Sequence, residues 1–131
     1  MKVLSSSLRI RTYGPTVFFP IRGLIEEVVR ESRVKEGIAW LSVKGATPAL
    51  VVATEEVANE LGKCLKYLIP VSGWRHGNAY AHLRSTVLST SKVIPIINNE
   101  LAIPKEYEIY LLETRSVYNH IREVVIQIHG E

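Results

Sequence analysis

Two of the four histidines, an arginine and an amide lie within nine residues, from Trp74 to His82. Imidazoles bind metal ions or transfer protons near neutral pH, so this stretch holds the side chains best suited to chemistry. His76, Asn78 and His82 are therefore the candidate catalytic residues. Asn78 and His82 are four residues apart, so on a helical turn they would share a face.

One interpretation of the two histidines is a metal site. A catalytic zinc usually takes three protein ligands and keeps one position open. His76 and His82 would supply two ligands, and a third would have to come from Glu55 or from a neighbouring subunit. The alternative is that His82 makes a hydrogen bond in a partly buried interface. The residues leave both open, with zinc as the candidate divalent metal.

A second interpretation is an acid–base or anion-binding site, which needs fewer groups. His82 can protonate a leaving oxygen or bind phosphate. Arg75 or Arg84 can clamp the anion, because a guanidinium matches phosphate geometry, and Thr47 can donate a hydroxyl hydrogen bond. Taken singly, each arginine is more readily explained as a solvated residue at a helix end.

Composition narrows the functional class. The 131 residues suit one domain, with 47% hydrophobic residues and a net charge of +3. Lys and Arg are spread along the chain without a basic run, so a small anion is easier to accommodate than a nucleic acid. The lone Cys64 predicts a reducing compartment and a buried structural thiol. No targeting segment or apolar membrane span is visible, and we expect a cytoplasmic location without membrane binding.

Hydrophobic periodicity predicts strands, two main helices and a hairpin-rich second half. A period-2 pattern indicates a half-buried first strand, and 3.6-residue periodicity indicates helices over Ile21–Ser32 and after an N-cap at Thr54. Asn98-Asn99 predicts a hairpin turn with positive φ. The remaining predicted strands are Val17–Phe19, Ile38–Val43, Ala49–Ala53, Ser91–Ile97, Leu101–Ile103, Glu108–Glu113 and Ile121–Ile128. This order indicates one α+β layered domain over residues 1–131.

Several motifs resemble the YjbQ family. Gly37-Ile38-Ala39-Trp40 followed by Ala46-Thr47-Pro48-Ala49-Leu50 is similar to that family's Gly-led strand and His-Thr-Thr-Ala-Ala-Ile turn. Asn78-Ala79-Tyr80-Ala81-His82-Leu83 resembles its Asn-Ala-His-Ala-His block, and the segment 122–131 resembles its Arg-Val-Val-Val-Gln-Ile-x-Gly-Glu ending. The resemblance implies stacked, mostly antiparallel sheets, a homotrimer, and a polar site near the histidines. It also implies thiamine-phosphate synthase-like activity, described in the family as secondary.

The chain departs from the family pattern at several of these site positions. The histidine of the His-Thr-Thr turn falls on Gly45, and the first histidine of the Ala-His-Ala-His block falls on Tyr80, which takes its place as a candidate substrate-binding residue. The Gly-Thr-Trp-Gln motif is replaced by residues 104–107, Pro-Lys-Glu-Tyr. Two functions therefore compete: an enzyme acting on small phosphate compounds, and a non-catalytic trimeric relative that binds a ligand or partner. Nucleic-acid binding is a weaker third.

Overall fold

A computed structural model describes all residues from 1 to 131 as eight strands and three helices. The strands are β1 (Lys2–Thr12), β2 (Val17–Pro20), β3 (Glu36–Val43), β4 (Ala49–Ala53), β5 (Ser91–Ile97), β6 (Glu100–Leu101), β7 (Glu108–Glu113) and β8 (His120–Gly130). The helices are α1 (Arg22–Ser32), α2 (Glu55–Leu68) and α3 (Ala79–Leu88). None of these helices is long and apolar enough to cross a membrane.

Two antiparallel sheets form the framework. The larger sheet has the order β1-β8-β3-β5-β6, and the smaller has the order β2-β7-β4. The longest pairing joins the two ends of the chain, with Lys2 opposite Gly130 and Thr12 opposite His120. Asn98 and Asn99 both adopt positive φ between β5 and β6, as the hairpin prediction required.

One face of the larger sheet packs on α1 and the smaller sheet. Alternate residues of β3, β5 and β8 point to this core, as period-2 strands require. The main cluster contains sixteen buried apolar residues, among them Leu41, Ile96, Ile126 and Ile25. The other face of the smaller sheet packs on α2, through Ala58 and Leu65. Burial on both faces explains why β7 is almost continuously apolar.

The α+β class and the layered antiparallel sheets are confirmed, with three corrections. A third helix, α3, begins at Ala79. Cys64 is exposed, so the prediction of a buried thiol is wrong. Helical spacing of the larger apolar residues predicts a buried stripe of Val57, Leu61, Cys64, Leu65 and Leu68. The buried residues are instead Ala58, Gly62 and Leu65, because small residues at positions 58 and 62 let the helix approach the sheet. The larger apolar residues Val57 and Leu68 face outward instead.

Candidate functional site

A pocket of about 390 Å³ lies between the loop connecting β3 to β4 and the outward face of α3. No carboxylate lines this pocket. Its lining residues are Gly45, Ala46, His82, Ser85, Thr86, Ser89 and Thr90. The pocket therefore combines one imidazole with four hydroxyl groups and loop backbone.

The position of His82 follows from how α3 begins. Asn78 is the N-cap residue, and its carbonyl oxygen accepts the amides of Ala81 and His82. Its side chain makes no capping hydrogen bond. His82 lies one turn further along, on the exposed side of the helix, while Ser85 anchors α3 by donating a 2.7 Å hydrogen bond to the Pro48 carbonyl. The imidazole is thus held beside the 44–48 loop.

Most hydroxyl groups of the pocket already donate their proton to a hydrogen bond within the chain. Those of Ser85, Thr86 and Ser89 donate to backbone carbonyls, at 2.7, 2.8 and 3.2 Å respectively. A hydroxyl has only one proton to donate. Donors for a bound anion must therefore come from the imidazole, the Thr90 hydroxyl and the loop.

The loop supplies such donors. The backbone amides of Gly45 and Ala46 make no hydrogen bond to another backbone group, and both residues are exposed. Gly45 has a φ of 120°, a conformation that favours glycine. Consecutive free amides in a turn are a common anion-binding arrangement. The loop can therefore donate two hydrogen bonds to a ligand in the pocket.

Behind the loop lies a buried ion pair that links three strands. Glu113, at the end of β7, has no exposed surface, and Arg122 of β8 is only 7% exposed. The guanidinium donates two 2.7 Å hydrogen bonds to this carboxylate, one from Nε and one from Nη2. Thr12 Oγ1 donates a third at 2.7 Å, and Arg122 Nη2 also reaches Thr47 Oγ1 at 2.9 Å. The arrangement fixes the guanidinium in one orientation.

These contacts determine the ionisation of Glu113. Burial raises the pKa of its carboxyl group, but the hydrogen bonds from Arg122 and Thr12 and the charge of Arg122 outweigh burial. The pKa of Glu113 therefore lies below its ordinary value of 4.5. The pair is fully ionised at neutral pH.

The remaining guanidinium nitrogen of Arg122, Nη1, makes no hydrogen bond. No fully buried side-chain nitrogen or oxygen lacks a partner, so Nη1 must retain contact with solvent. It lies next to Gly45: a Cβ atom built at that position would be 3.2 Å from Nη1. A side chain at position 45 would crowd this nitrogen, so glycine leaves a charged donor uncovered beside the loop, although Arg122 does not itself line the pocket.

Arg84 does not join this pocket. It is completely buried, so the expectation of a solvated arginine is wrong for this residue. Its guanidinium donates to the carbonyls of Ile69 and Leu65 and to Thr16 Oγ1, and it lies 5.4 Å from the centre of the Tyr80 ring. Burial lowers the pKa of Arg84, an effect partly offset by Tyr80. Arg84 joins α3 to the end of α2.

The other predicted residues are divided between core and surface. Tyr80 is buried, and its hydroxyl accepts the backbone amide of Ser116 at 3.0 Å. Thr47 is buried, and its hydroxyl oxygen accepts from Arg122. Arg75 and His76 are exposed in the segment before α3, and neither lines the pocket that contains His82.

The residues present do not fit a zinc ion within one chain. No group of three or more His, Cys, Asp or Glu side chains is placed to hold a metal. The position where the family has a histidine is Gly45, which offers no side-chain ligand. The Tyr80 hydroxyl already accepts a hydrogen bond from the Ser116 amide. The predicted ligation by His76 and His82 stays a prediction, and no step below depends on a metal.

Sequence reasoning missed Glu113 and Arg122 as a functional pair. A signal was present, because Arg122 has the same parity as the inward-facing Val124, Ile126 and Ile128. A charged residue in phase with a buried face needs a buried partner. Glu113, at the end of an apolar run, is that partner.

The fold and this site define a small α+β protein with two antiparallel sheets and a pocket at the edge of helix α3. The family model described as UPF0047 protein YjbQ-like matches residues 6–131, and the chain belongs to that family. A UPF0047 protein of the cyanobacterium Synechocystis is 31% identical over 117 residues, covering 82% of this chain and 79% of that protein. A UPF0047 protein of Methanothermobacter thermautotrophicus is 23% identical and covers 100% of this chain and 95% of its own.

Solved structures show the same fold. A protein of unknown function from Sulfolobus solfataricus superimposes with a TM-score of 0.92 at 26% identity, covering 99% of both chains. A hypothetical protein from Aeropyrum pernix gives a TM-score of 0.89 at 23% identity, covering 98% of this chain and 99% of its own. These names state the family and the fold and assign no reaction.

Proposed function

We propose that the pocket between α3 and the β3–β4 loop binds a small phosphate-bearing compound. The observation that carries this proposal is the pair of free backbone amides at Gly45 and Ala46, two residues that line the pocket. These amides and the His82 imidazole, in a pocket without carboxylates, suit a phosphate group, and Nη1 of Arg122 lies beside Gly45 as a nearby positive charge. The pocket volume of about 390 Å³ is large enough for a small phosphate compound.

His82 has the catalytic part in this proposal. In hydrolysis of a bound phosphoester, water attacks phosphorus and forms a P–O bond while the bond to the leaving oxygen breaks. His82 would donate a proton to that oxygen, so that it departs as a neutral hydroxyl, and the attacking water would lose a proton to solvent and leave as part of inorganic phosphate. The resemblance to the YjbQ family points to chemistry of the thiamine-phosphate synthase-like kind, on pyrimidine and thiazole phosphates. His76 and Arg75 have no part in the proposed step, because neither lines the pocket.

Two histidine variants provide the test. Replacing His82 by Ala removes a donor from the pocket, so the dissociation constant for inorganic pyrophosphate should rise about fivefold, as expected for one hydrogen bond to a charged group. His76→Ala is the matched control and should bind as the wild type does. Isothermal titration calorimetry measures both. Equal affinity for the wild type and His82→Ala would contradict the proposal.

An activity assay separates the two functions. Turnover of phosphoesters by the wild type, lost in His82→Ala, supports the enzyme. Pyrophosphate binding without turnover of any phosphate compound supports a ligand-binding relative instead.

The outer face of the larger sheet supports self-association, and the number of three chains comes from the resemblance to the YjbQ family. Trp40 of β3 is 48% exposed, its neighbour Val93 of β5 is 53% exposed, and both lie on the face opposite the core. Exposed apolar patches of this kind mark interaction sites. A second copy of this chain is the proposed occupant.

Charge placed on this face should prevent the assembly. A glutamate in place of Val93 would be buried without a partner in the interface, so we expect Val93→Glu to sediment as a monomer and the wild type as three chains. Val57→Glu, on the exposed side of α2, is the control and should leave the assembly intact. A monomeric wild type would contradict the proposed trimer.

A further inference from the structure

A second cleft, of about 680 Å³, lies at the opposite end of β7 from Glu113. It is formed by the N-terminal ends of α1 and α2, strand β2 and the segment that leads into β7. Its lining differs in character from that of the phosphate pocket, because aromatic rings and carboxylates dominate it. Phe18, Tyr107 and Tyr110 supply the rings, and Glu26, Glu55, Glu106 and Glu108 supply the carboxylates.

Of the two positively charged side chains that line this cleft, Arg22 already bonds to groups of the chain itself. Arg22 donates to the carbonyls of Pro104 and Tyr107, at 2.7 and 2.5 Å, and pairs with Glu26 at 3.5 Å. Only the exposed Lys105 remains free. Three glutamates without an ion-pair partner, Glu55, Glu106 and Glu108, also line the cleft. The negative charges therefore outnumber the positive charge of Lys105.

The helix N-termini do not offset this excess. Glu108 Oε2 accepts the amide of Arg22 at 2.8 Å at the start of α1. At the start of α2, Thr54 Oγ1 accepts the amide of Val57 at 3.2 Å. Each helix N-terminus therefore has one of its amides already occupied by an acceptor of the chain itself.

Tyr110 is the polar group that lacks a partner here. The residue is 8% exposed and lines the cleft, yet its hydroxyl makes no hydrogen bond. Since no fully buried side-chain oxygen is without a partner, this hydroxyl must open on the cleft. Burial and the charges of Glu108 and Glu55 raise the pKa of the Tyr110 hydroxyl. Glu108 Oε2 already accepts the amides of Arg22 and Ile109. Its Oε1, the Glu55 carboxylate and the Tyr110 oxygen therefore stay open to a donor from outside the chain.

We propose that this cleft binds a small organic ammonium ion. Its N–H groups would donate to the Tyr110 oxygen and to the carboxylates of Glu55 and Glu108. Its apolar part would pack against the rings of Phe18 and Tyr107, which also attract a cation through their faces. A bare metal ion is a poorer fit, because no group of three carboxylates converges there to hold one. The inference is independent of the phosphate pocket.

The test uses 2-phenylethylammonium chloride as the probe, with ¹H–¹⁵N NMR of the full chain. We expect saturable shifts of the amides of Glu55, Asn59 and Tyr107. The neutral isostere 2-phenylethanol, and potassium chloride at equal ionic strength, should leave these amides unchanged. Equal shifts with either control, or no shift with the probe, would overturn the proposal.

Neighbouring glutamates provide the matched variants. Glu55→Gln removes a carboxylate from the cleft and should raise the dissociation constant about tenfold, while Glu56→Gln alters the next residue, which does not line it, and should change it less than twofold. Tyr110→Phe should weaken binding as well. The amide spectrum of each variant verifies its fold. Equal effects of Glu55→Gln and Glu56→Gln would also overturn the proposal.

Discussion

Replacing Glu113 by alanine should lower the free energy of unfolding by about 3–5 kcal/mol. The substitution leaves Arg122 buried beside Thr47 with no counter-charge, and removal of one partner from a buried ion pair costs this much because the remaining charge stays desolvated. Thr12 also loses its acceptor. Urea unfolding at pH 7 measures the loss.

The control for this prediction removes both charges. Glu113→Leu combined with Arg122→Met should recover most of the lost stability, since apolar residues of similar volume often replace a buried pair at little cost. A double variant as unstable as Glu113→Ala would show that packing, and not the unpaired charge, accounts for the loss.

The same pair should make stability depend on pH. The pKa of Glu113 is depressed in the folded state, so its stabilising effect is complete above the ordinary pKa of 4.5 and is lost as pH falls through the lower folded value. The wild type should therefore lose stability below pH 4.5 more steeply than the double variant.

A carboxylate at position 46 should abolish phosphate binding. Ala46 is exposed and lines the proposed pocket, so Ala46→Glu places a negative charge against the phosphate without disturbing the core. We expect the dissociation constant for pyrophosphate to rise more than tenfold, because like charges in one small site repel. Titration calorimetry at low ionic strength measures this change.

A neutral side chain of the same size at position 46 distinguishes the effect of the added charge from the effect of the added volume. Ala46→Gln has nearly the same size as Ala46→Glu and should keep affinity within about threefold of the wild type. Equal losses for the two variants would attribute the effect to blockage of the pocket and would leave its anion preference without support.

Local patterns in the sequence predicted most of the elements. The strands Ala49–Ala53, Ser91–Ile97 and Glu108–Glu113 have the predicted bounds, and Thr54 caps α2 through the Val57 amide. These features depend on residues that are close in sequence, so a local sequence pattern is sufficient to predict them. The pairing of β1 with β8 joins opposite ends of the chain, and no local pattern contains that register.

The site was less predictable because its residues come together only in the fold. The Trp74–His82 stretch pointed to His82, which does line a pocket, but His76 in the same stretch does not. Arg84 was expected in solvent, yet the carbonyl oxygens of Leu65 and Ile69 at the end of α2 hold it in the core. Arg122 and Glu113 are nine residues apart on different sheets, so their pairing requires the tertiary structure.

Binding of phosphate by the amides of Gly45 and Ala46, with Arg122 Nη1 beside them, can be followed by NMR of the wild-type protein during a pyrophosphate titration. We expect these two amide signals, the Arg122 guanidinium signals and the His82 ring signals to shift together with one dissociation constant. Saturable binding that shifts signals elsewhere and leaves these unmoved would contradict this expectation.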